Sequence, residues 1–108
     1  MTSHSPFPHV VLICDDACPN VALARSNLLA AFALVGLAPE WSEHRIGDPE
    51  APAYTRGYGS PTILVDGEDV AGVQPGSNAC CRVYAAPTQL ERAPSIELIA
   101  AALTSASG

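Results

Sequence analysis

The sequence predicts an α/β domain with a four-stranded mixed sheet flanked by helices. Short runs of β-forming residues alternate with helix-like stretches in the order β-α-β-(α)-β-β-α, and Asp66–Gly67 marks a hairpin between two of these runs. The chain has 108 residues, of which 48% are apolar and 15% are charged. This length and composition indicate one globular domain, which we expect to cover residues 1–108.

The first third of the chain predicts a buried strand, a tight loop and a helix. His9–Ile13 is apolar and mostly β-branched, which favours a strand. The alanine-rich segment after the loop stops at Gly36, a residue suited to the left-handed turn that ends a helix. Pro19 fits the first helical position because its missing N–H costs nothing there, so we expect a helix from about Pro19 to Val35.

The middle of the chain predicts a second strand and a short helical segment. Glu40–Ile46 alternates two sets of side chains, and such alternation is typical of a strand. The two sets are Trp41, Glu43 and Arg45 against Ser42, His44 and Ile46. Asp48 is placed to cap one or two helical turns that run to about Arg56.

The second half of the chain predicts a hairpin and a last helix. Thr62–Val65 is a run of strong β-formers, and Glu68–Val73 is its expected partner strand. Asp66–Gly67 between them is a two-residue turn signal. Pro94–Ser95 precedes an amphipathic helix whose buried face is expected to include Ile96, Ile99 and Leu103.

Cys18 is the leading candidate for a reactive residue. If Pro19 is the first helical residue, Cys18 occupies the N-cap position, where unpaired N–H groups and the helix dipole favour the thiolate. The thiolate is the form that attacks disulfides and binds soft metals. Negative charge on Asp15 and Asp16 opposes this effect. The alternative is that Cys18 is a small apolar packing residue, as many cysteines are.

Charge and hydropathy exclude several classes of function. The net charge is −6 and the chain contains no lysine, so it has no basic surface for nucleic acid or anionic lipid. The longest apolar helix-like stretch, Leu28 to Leu37, is about ten residues and too short to span a bilayer. The N terminus lacks a signal-peptide pattern, so we expect a cytoplasmic protein in which the four cysteines are reactive or metal-binding.

Three short segments resemble small bacterial thioredoxin-like proteins that are often labelled alkylmercury-lyase-like. They are Cys18–Pro19–Asn20, Gly59–Ser60–Pro61–Thr62 and Cys81–Arg82–Val83–Tyr84. The resemblance implies a thioredoxin-like fold, a nucleophilic Cys18, and a cis Ser60–Pro61 bond lying against the reactive thiol. It also singles out Cys81, and Arg82 could hold a thiolate or an anionic substrate, although an ion pair with an acidic residue is an equal alternative.

The usual resolving cysteine of thioredoxins is missing, because Val21 stands where it would be. Cys14 at the end of the first strand is one substitute. The pair Cys80–Cys81 is the other, since a long fourth strand would return the chain to the edge where Pro61 begins. Adjacent residues in an extended segment point to opposite faces, so one of the pair should face the site. The resemblance favours Cys81 for that position.

These observations leave three classes of function open. The first is thiol–disulfide exchange or thiol transfer without a cofactor, in which Cys18 attacks a disulfide and Cys81 or Cys14 resolves the intermediate. The expected partner is a small thiol or a protein disulfide. The second is binding or detoxification of a soft metal ion such as mercury, copper or zinc by Cys18, Cys81 and Cys14. The third is a thioredoxin-fold interaction module whose cysteines are inert.

Overall fold

The first strand, β1 (Val10–Cys14), forms where the sequence predicts it. The computed structural model describes residues 8–15, 19–55, 57–72, 84–85, 90–91 and 93–107. The other elements are, in chain order, α1 (Val21–Val35), β2 (Ser42–Arg45), a 3₁₀ turn (Ala53–Thr55), β3 (Thr62–Val65), β4 (Glu68–Asp69), β5 (Tyr84–Ala85), β6 (Leu90–Glu91) and α2 (Ile96–Ser107). Within these ranges, neither helix has the length and apolar character needed to cross a bilayer.

The main sheet has the strand order β2-β1-β3-β4 and mixes parallel with antiparallel pairs. β1 runs parallel to β2, with Cys14 opposite Arg45, and antiparallel to β3, with Ile13 opposite Thr62. β3 and β4 form an antiparallel hairpin. The predicted four-stranded mixed sheet is therefore confirmed. A second, two-stranded sheet joins β5 to β6, and no pattern in the sequence predicts it.

The two faces of the sheet bury different residues because side chains alternate along each strand. On one face α1 and α2 pack together over the sheet, in a core that includes Leu12, Leu28, Phe32, Ile63, Ile99 and Leu103. On the other face a smaller core joins Val11, Ile13 and Leu64 to Tyr58, with Ile46 packed against it. Cys14 belongs to the helix-covered face.

The first helix begins two residues later than the sequence predicts. The N-cap is Asn20, whose carbonyl accepts the Ala24 amide at 3.1 Å, and the helix proper starts at Val21. The predicted N-cap position of Cys18 is therefore wrong, because Pro19 lies in the turn before the helix. The predicted end is confirmed: Gly36 adopts the left-handed conformation with φ of 77° and donates its amide to Ala33.

The β3–β4 hairpin confirms the predicted turn but not the predicted length of the fourth strand. Asp66 and Gly67 both have positive φ angles, of 51° and 85°, as a two-residue hairpin turn requires. β4 ends at Asp69, whose carboxylate accepts the Ala71 amide and whose carbonyl accepts the Gly72 amide. This turn replaces the strand expected to reach residue 73, so no long strand carries the chain back toward Pro61 within the described residues.

The remaining predicted elements are present with narrower bounds. β2 covers four residues, fewer than the predicted Glu40–Ile46. The Asp48 carboxylate accepts the Glu50 amide, as a cap should, but the helical segment after it is a single 3₁₀ turn. α2 starts as predicted, because the Ser95 hydroxyl accepts the Leu98 amide. Ile99, in the first turn of this helix, is fully buried.

Candidate functional site

The described part of the candidate site lies where β1 ends beside β2 and β3. Cys14 is the last residue of β1 and is 6% exposed. Its Sγ lies 3.8 Å from the His44 carbonyl oxygen of β2, a distance suited to a weak S–H···O contact. The chain then leaves the sheet through Asp15 and re-enters the described structure at Pro19, on the surface before α1. A buried thiol therefore precedes, by one described residue, the segment of the sequence that contains Cys18.

Ser60 and Pro61 meet this corner from β3. Both residues are buried, and the bond between them is cis, as predicted. The Ser60 hydroxyl accepts the Asp15 amide at 3.0 Å. Because Ile13 pairs with Thr62, the same antiparallel register carried one residue further sets Pro61 opposite Cys14. The structure therefore brings together three of the predicted site residues, Cys14, Ser60 and Pro61.

An ion pair joins α1 to β2 beside the thiol. The Arg25 guanidinium donates two hydrogen bonds to the Glu43 carboxylate, at 2.7 Å from Nη2 and 2.9 Å from Nε. The Trp41 indole Nε1 donates a third, at 3.0 Å, and its ring stacks on Phe32 with centroids 6.1 Å apart. Three donors and a stacked ring thus fix the Glu43 carboxylate in one orientation.

Both members of the pair are charged at neutral pH. The hydrogen bond from Arg25 lowers the pKa of Glu43, with burial opposing and Trp41 assisting. The hydrogen bond and charge of Glu43 raise the pKa of Arg25, and a negative charge on Cys14 would raise it slightly further. The Arg25 guanidinium therefore interacts electrostatically with both the Glu43 carboxylate and the Cys14 sulfur.

A groove of about 460 Å³ opens over this corner. Its apolar lining comprises Cys14, Pro19, Val21 and Ala22, and its charged lining comprises Asp15, Arg25, Glu43 and Arg45. Two positive and two negative side chains therefore face the same space. A volume of this size suits a small molecule.

The other predicted site residues, Cys18, Cys81 and Arg82, lie outside the described residues, as does Cys80. Their roles stay predictions. Within the described residues there is no group of three or more histidine, cysteine or acidic side chains placed to hold a metal ion. The proposed soft-metal set of Cys18, Cys81 and Cys14 includes only one described member.

Sequence reasoning missed the charged lining of the groove. Glu43 and Arg45 stand on the face of β2 predicted by the alternation, but only the register with β1 shows that Arg45 pairs with Cys14. Arg25 is the single charged residue of α1 and follows Val21 by one helical turn. A lone charge on the edge of an apolar helical stripe is the signal that could have identified it.

Comparisons with known proteins give no match: no protein-family model fits the chain, and neither a curated protein nor a solved structure matches it. Function must therefore be inferred from the residues of this chain and their geometry.

Proposed function

We propose that the chain is a thiol-based redox protein with a thioredoxin-like fold, in which Cys18 is the nucleophile. The observation that carries this proposal is the hydrogen bond from the Asp15 amide to the Ser60 hydroxyl. It ties the cysteine-bearing corner after β1 to the cis Ser60–Pro61 segment, and the two motifs that prompted the resemblance belong to these two segments.

The topology supports the same proposal. A parallel β1–α1–β2 unit is followed by an antiparallel hairpin and a last helix, and this order is compatible with the thioredoxin-like fold that we propose. α1 and α2 cover one face of the sheet together. This arrangement sets the end of β1, the start of α1 and the start of β3 at one end of the molecule.

The proposed chemistry is two-step thiol–disulfide exchange. The Cys18 thiolate attacks one sulfur of a substrate disulfide, the S–S bond breaks, and the departing thiolate takes a proton from water. A second protein thiolate then attacks Cys18 in the mixed disulfide and releases the other half of the substrate. The substrate gains two electrons, and the protein keeps an internal disulfide that an external small thiol reduces.

Cys14 and Cys81 are the two candidates for the second thiol. Cys14 precedes Cys18 by only four residues, and a tight turn over that length brings two Cα atoms within the roughly 7 Å that a disulfide allows. The shortened fourth strand removes the topological argument for Cys81 but leaves the motif argument intact. Cys14 is therefore the candidate with described geometry behind it.

The experiment is limiting alkylation combined with turnover of a model disulfide. Iodoacetamide below stoichiometry, followed by mass mapping, should label Cys18 first, and Cys18→Ser should abolish reduction of the disulfide. Cys14→Ser and Cys81→Ser identify the resolving residue as the variant that accumulates the mixed disulfide. Cys80→Ser is the matched control and should retain turnover.

The same proteins test the competing function. Under reducing conditions they are titrated with mercuric and cuprous ions. Stoichiometric metal binding by a protein that does not reduce the disulfide would contradict the redox proposal and establish soft-metal binding in its place.

A further inference from the structure

We propose that the groove beside Cys14 receives the part of the substrate next to the scissile disulfide, and that Glu43 makes it select small disulfides with no net charge. The inference deepens the proposed function and rests on it. It names a substrate class, uncharged or zwitterionic small disulfides, and a residue that determines specificity.

The position of the groove is the first step. Asp15 and Pro19, the described residues on either side of the loop that contains Cys18, both line it. Cys14 forms part of its apolar lining. A disulfide attacked at this loop must place the atoms next to its sulfurs close to the loop, and the groove is the concave space there.

The size of the groove is the second step. About 460 Å³ accommodates a small molecule, whereas a folded protein would need a broader surface. Val21 and Ala22 supply apolar contact from the first turn of α1. The space therefore fits the aliphatic carbons that flank a small disulfide.

The charge balance is the third step. Among the described lining residues, Arg25 and Arg45 stand against Glu43 and Asp15, so the formal charges of this described wall cancel. The Arg25 guanidinium has a fixed orientation, because it donates two hydrogen bonds to the Glu43 carboxylate. The Trp41 indole donates a third hydrogen bond to the same carboxylate. A wall with balanced, fixed charges favours neither an anionic nor a cationic substrate, and it can pair with both ends of a zwitterion.

Substituting one member of the pair should create a preference with a definite sign. Glu43→Gln keeps the size of the side chain and an oxygen acceptor but leaves the wall with an excess positive charge. Arg25→Gln leaves an excess negative charge. The first variant should favour an anionic disulfide and the second a cationic one, because the two substitutions change the charge of the wall with opposite signs.

The experiment compares three aliphatic disulfides of similar size: neutral hydroxyethyl disulfide, dicationic cystamine and dianionic dithiodiglycolate. Each rate is divided by the rate with a free small thiol, which removes differences in intrinsic reactivity. The ratio of anionic to cationic rates should rise roughly five- to tenfold in Glu43→Gln and fall by a similar factor in Arg25→Gln, and high salt should reduce both effects. A variant that is merely damaged slows all three substrates and leaves the ratio unchanged.

Glu68→Gln is the matched control, since it removes one carboxylate on β4 at the opposite end of the sheet. Its ratio should stay within about twofold of the wild type. Arg45→Gln provides a second arm should Arg25→Gln fail to fold, and it should also favour the cationic disulfide. Circular dichroism checks folding of every variant.

Different outcomes would contradict the proposed substrate selectivity and the proposed redox function. The inference alone is overturned if the wild type reduces a charged disulfide faster than the neutral one after division by the free-thiol rates. It is also overturned if the ratio is unaltered in Glu43→Gln, or if Glu43→Gln and the arginine variants shift it in the same direction. If the wild type reduces none of the three disulfides, the proposed function fails and the inference fails with it.

Discussion

The Ser60 hydroxyl joins the end of β1 to the start of β3, and we expect its removal to destabilise the candidate site. Ser60 is fully buried, and its Oγ accepts the Asp15 amide from the chain leaving β1. Ser60→Ala removes this acceptor from the Asp15 amide. We expect the variant to fold with the same topology but with lower stability.

The size of the effect follows from a partly buried amide. Loss of an acceptor for a fully buried N–H group costs about 1–3 kcal/mol, so we take the low end, roughly 1 kcal/mol, for this part-buried bond. With an unfolding entropy of about 2.1 cal/mol/K per residue over 108 residues, this corresponds to a fall in Tm of roughly 4 °C.

Urea unfolding and amide hydrogen exchange together measure this prediction. The urea midpoint should fall without a change in slope, because the surface exposed on unfolding is the same. The Asp15 amide should lose protection more than the amides of β3. Ser26→Ala, on the exposed side of α1, is the matched control and should change stability by less than about 0.5 kcal/mol. A Ser60→Ala protein as stable as this control would refute the reasoning.

Two further predictions concern stability. Arg25 lowers the pKa of Glu43 from its ordinary 4.5, so the carboxylate contributes stability that is complete above that pH and is lost as the pH falls through the lower folded value. Glu43→Gln should lower the free energy of unfolding by under about 1 kcal/mol at neutral pH, since both groups of the ion pair are partly exposed. The difference between variant and wild type should vanish in acid. A difference that persists unchanged in acid, measured by urea unfolding, would contradict this assignment. Leu103→Ala should cost about 2–5 kcal/mol, because Leu103 is on the face of α2 that is fully buried in the core. Leu34→Ala, at a position 66% exposed, should cost far less, and equal costs in urea unfolding would show that α2 does not seal the core.

The elements that sequence predicts well are those specified locally. The β-branched residues of β1 and β3, the Asp66–Gly67 turn and the glycine after α1 each require little beyond their neighbours. The start of α1 is different, because proline suits both a first helical turn and the turn before it. Here the first helical hydrogen bond reaches Asn20, so the helix starts later.

The fourth strand shows a second limit. Its sequence up to residue 73 suits a strand, but the Asp69 carboxylate captures the Ala71 amide and converts the chain to a turn. A backbone amide such as that of Ala71 can bond either to a nearby side chain or to a neighbouring strand. Which bond forms depends on the three-dimensional geometry, and the residue types alone do not predict it. The same holds for the groove, since Arg25 meets Glu43 only through the packing of α1 against the sheet.

For the described residues of the candidate site, their proximity to one another could be predicted from the sequence. Cys14, Ser60 and Pro61 come together because an antiparallel register carries a contact across the sheet, and strand direction can be predicted from the sequence. The roles of Cys18, Cys81 and Arg82 depend on connections whose paths no periodic pattern specifies. They remain predictions for the alkylation and turnover experiments.

The two edges of the main sheet end in ways that discourage fibril growth. At one edge, β2 carries the charged residues Glu43 and Arg45, which copies of the chain would have to bring close together to pair there. At the other, β4 offers two residues before the turn at Val70. Long, uncharged edges serve as templates for cross-β assembly, and neither described edge of this sheet has that form. Among the described residues, the folded sheet therefore offers no long uncharged edge on which a second copy of the chain could add a strand.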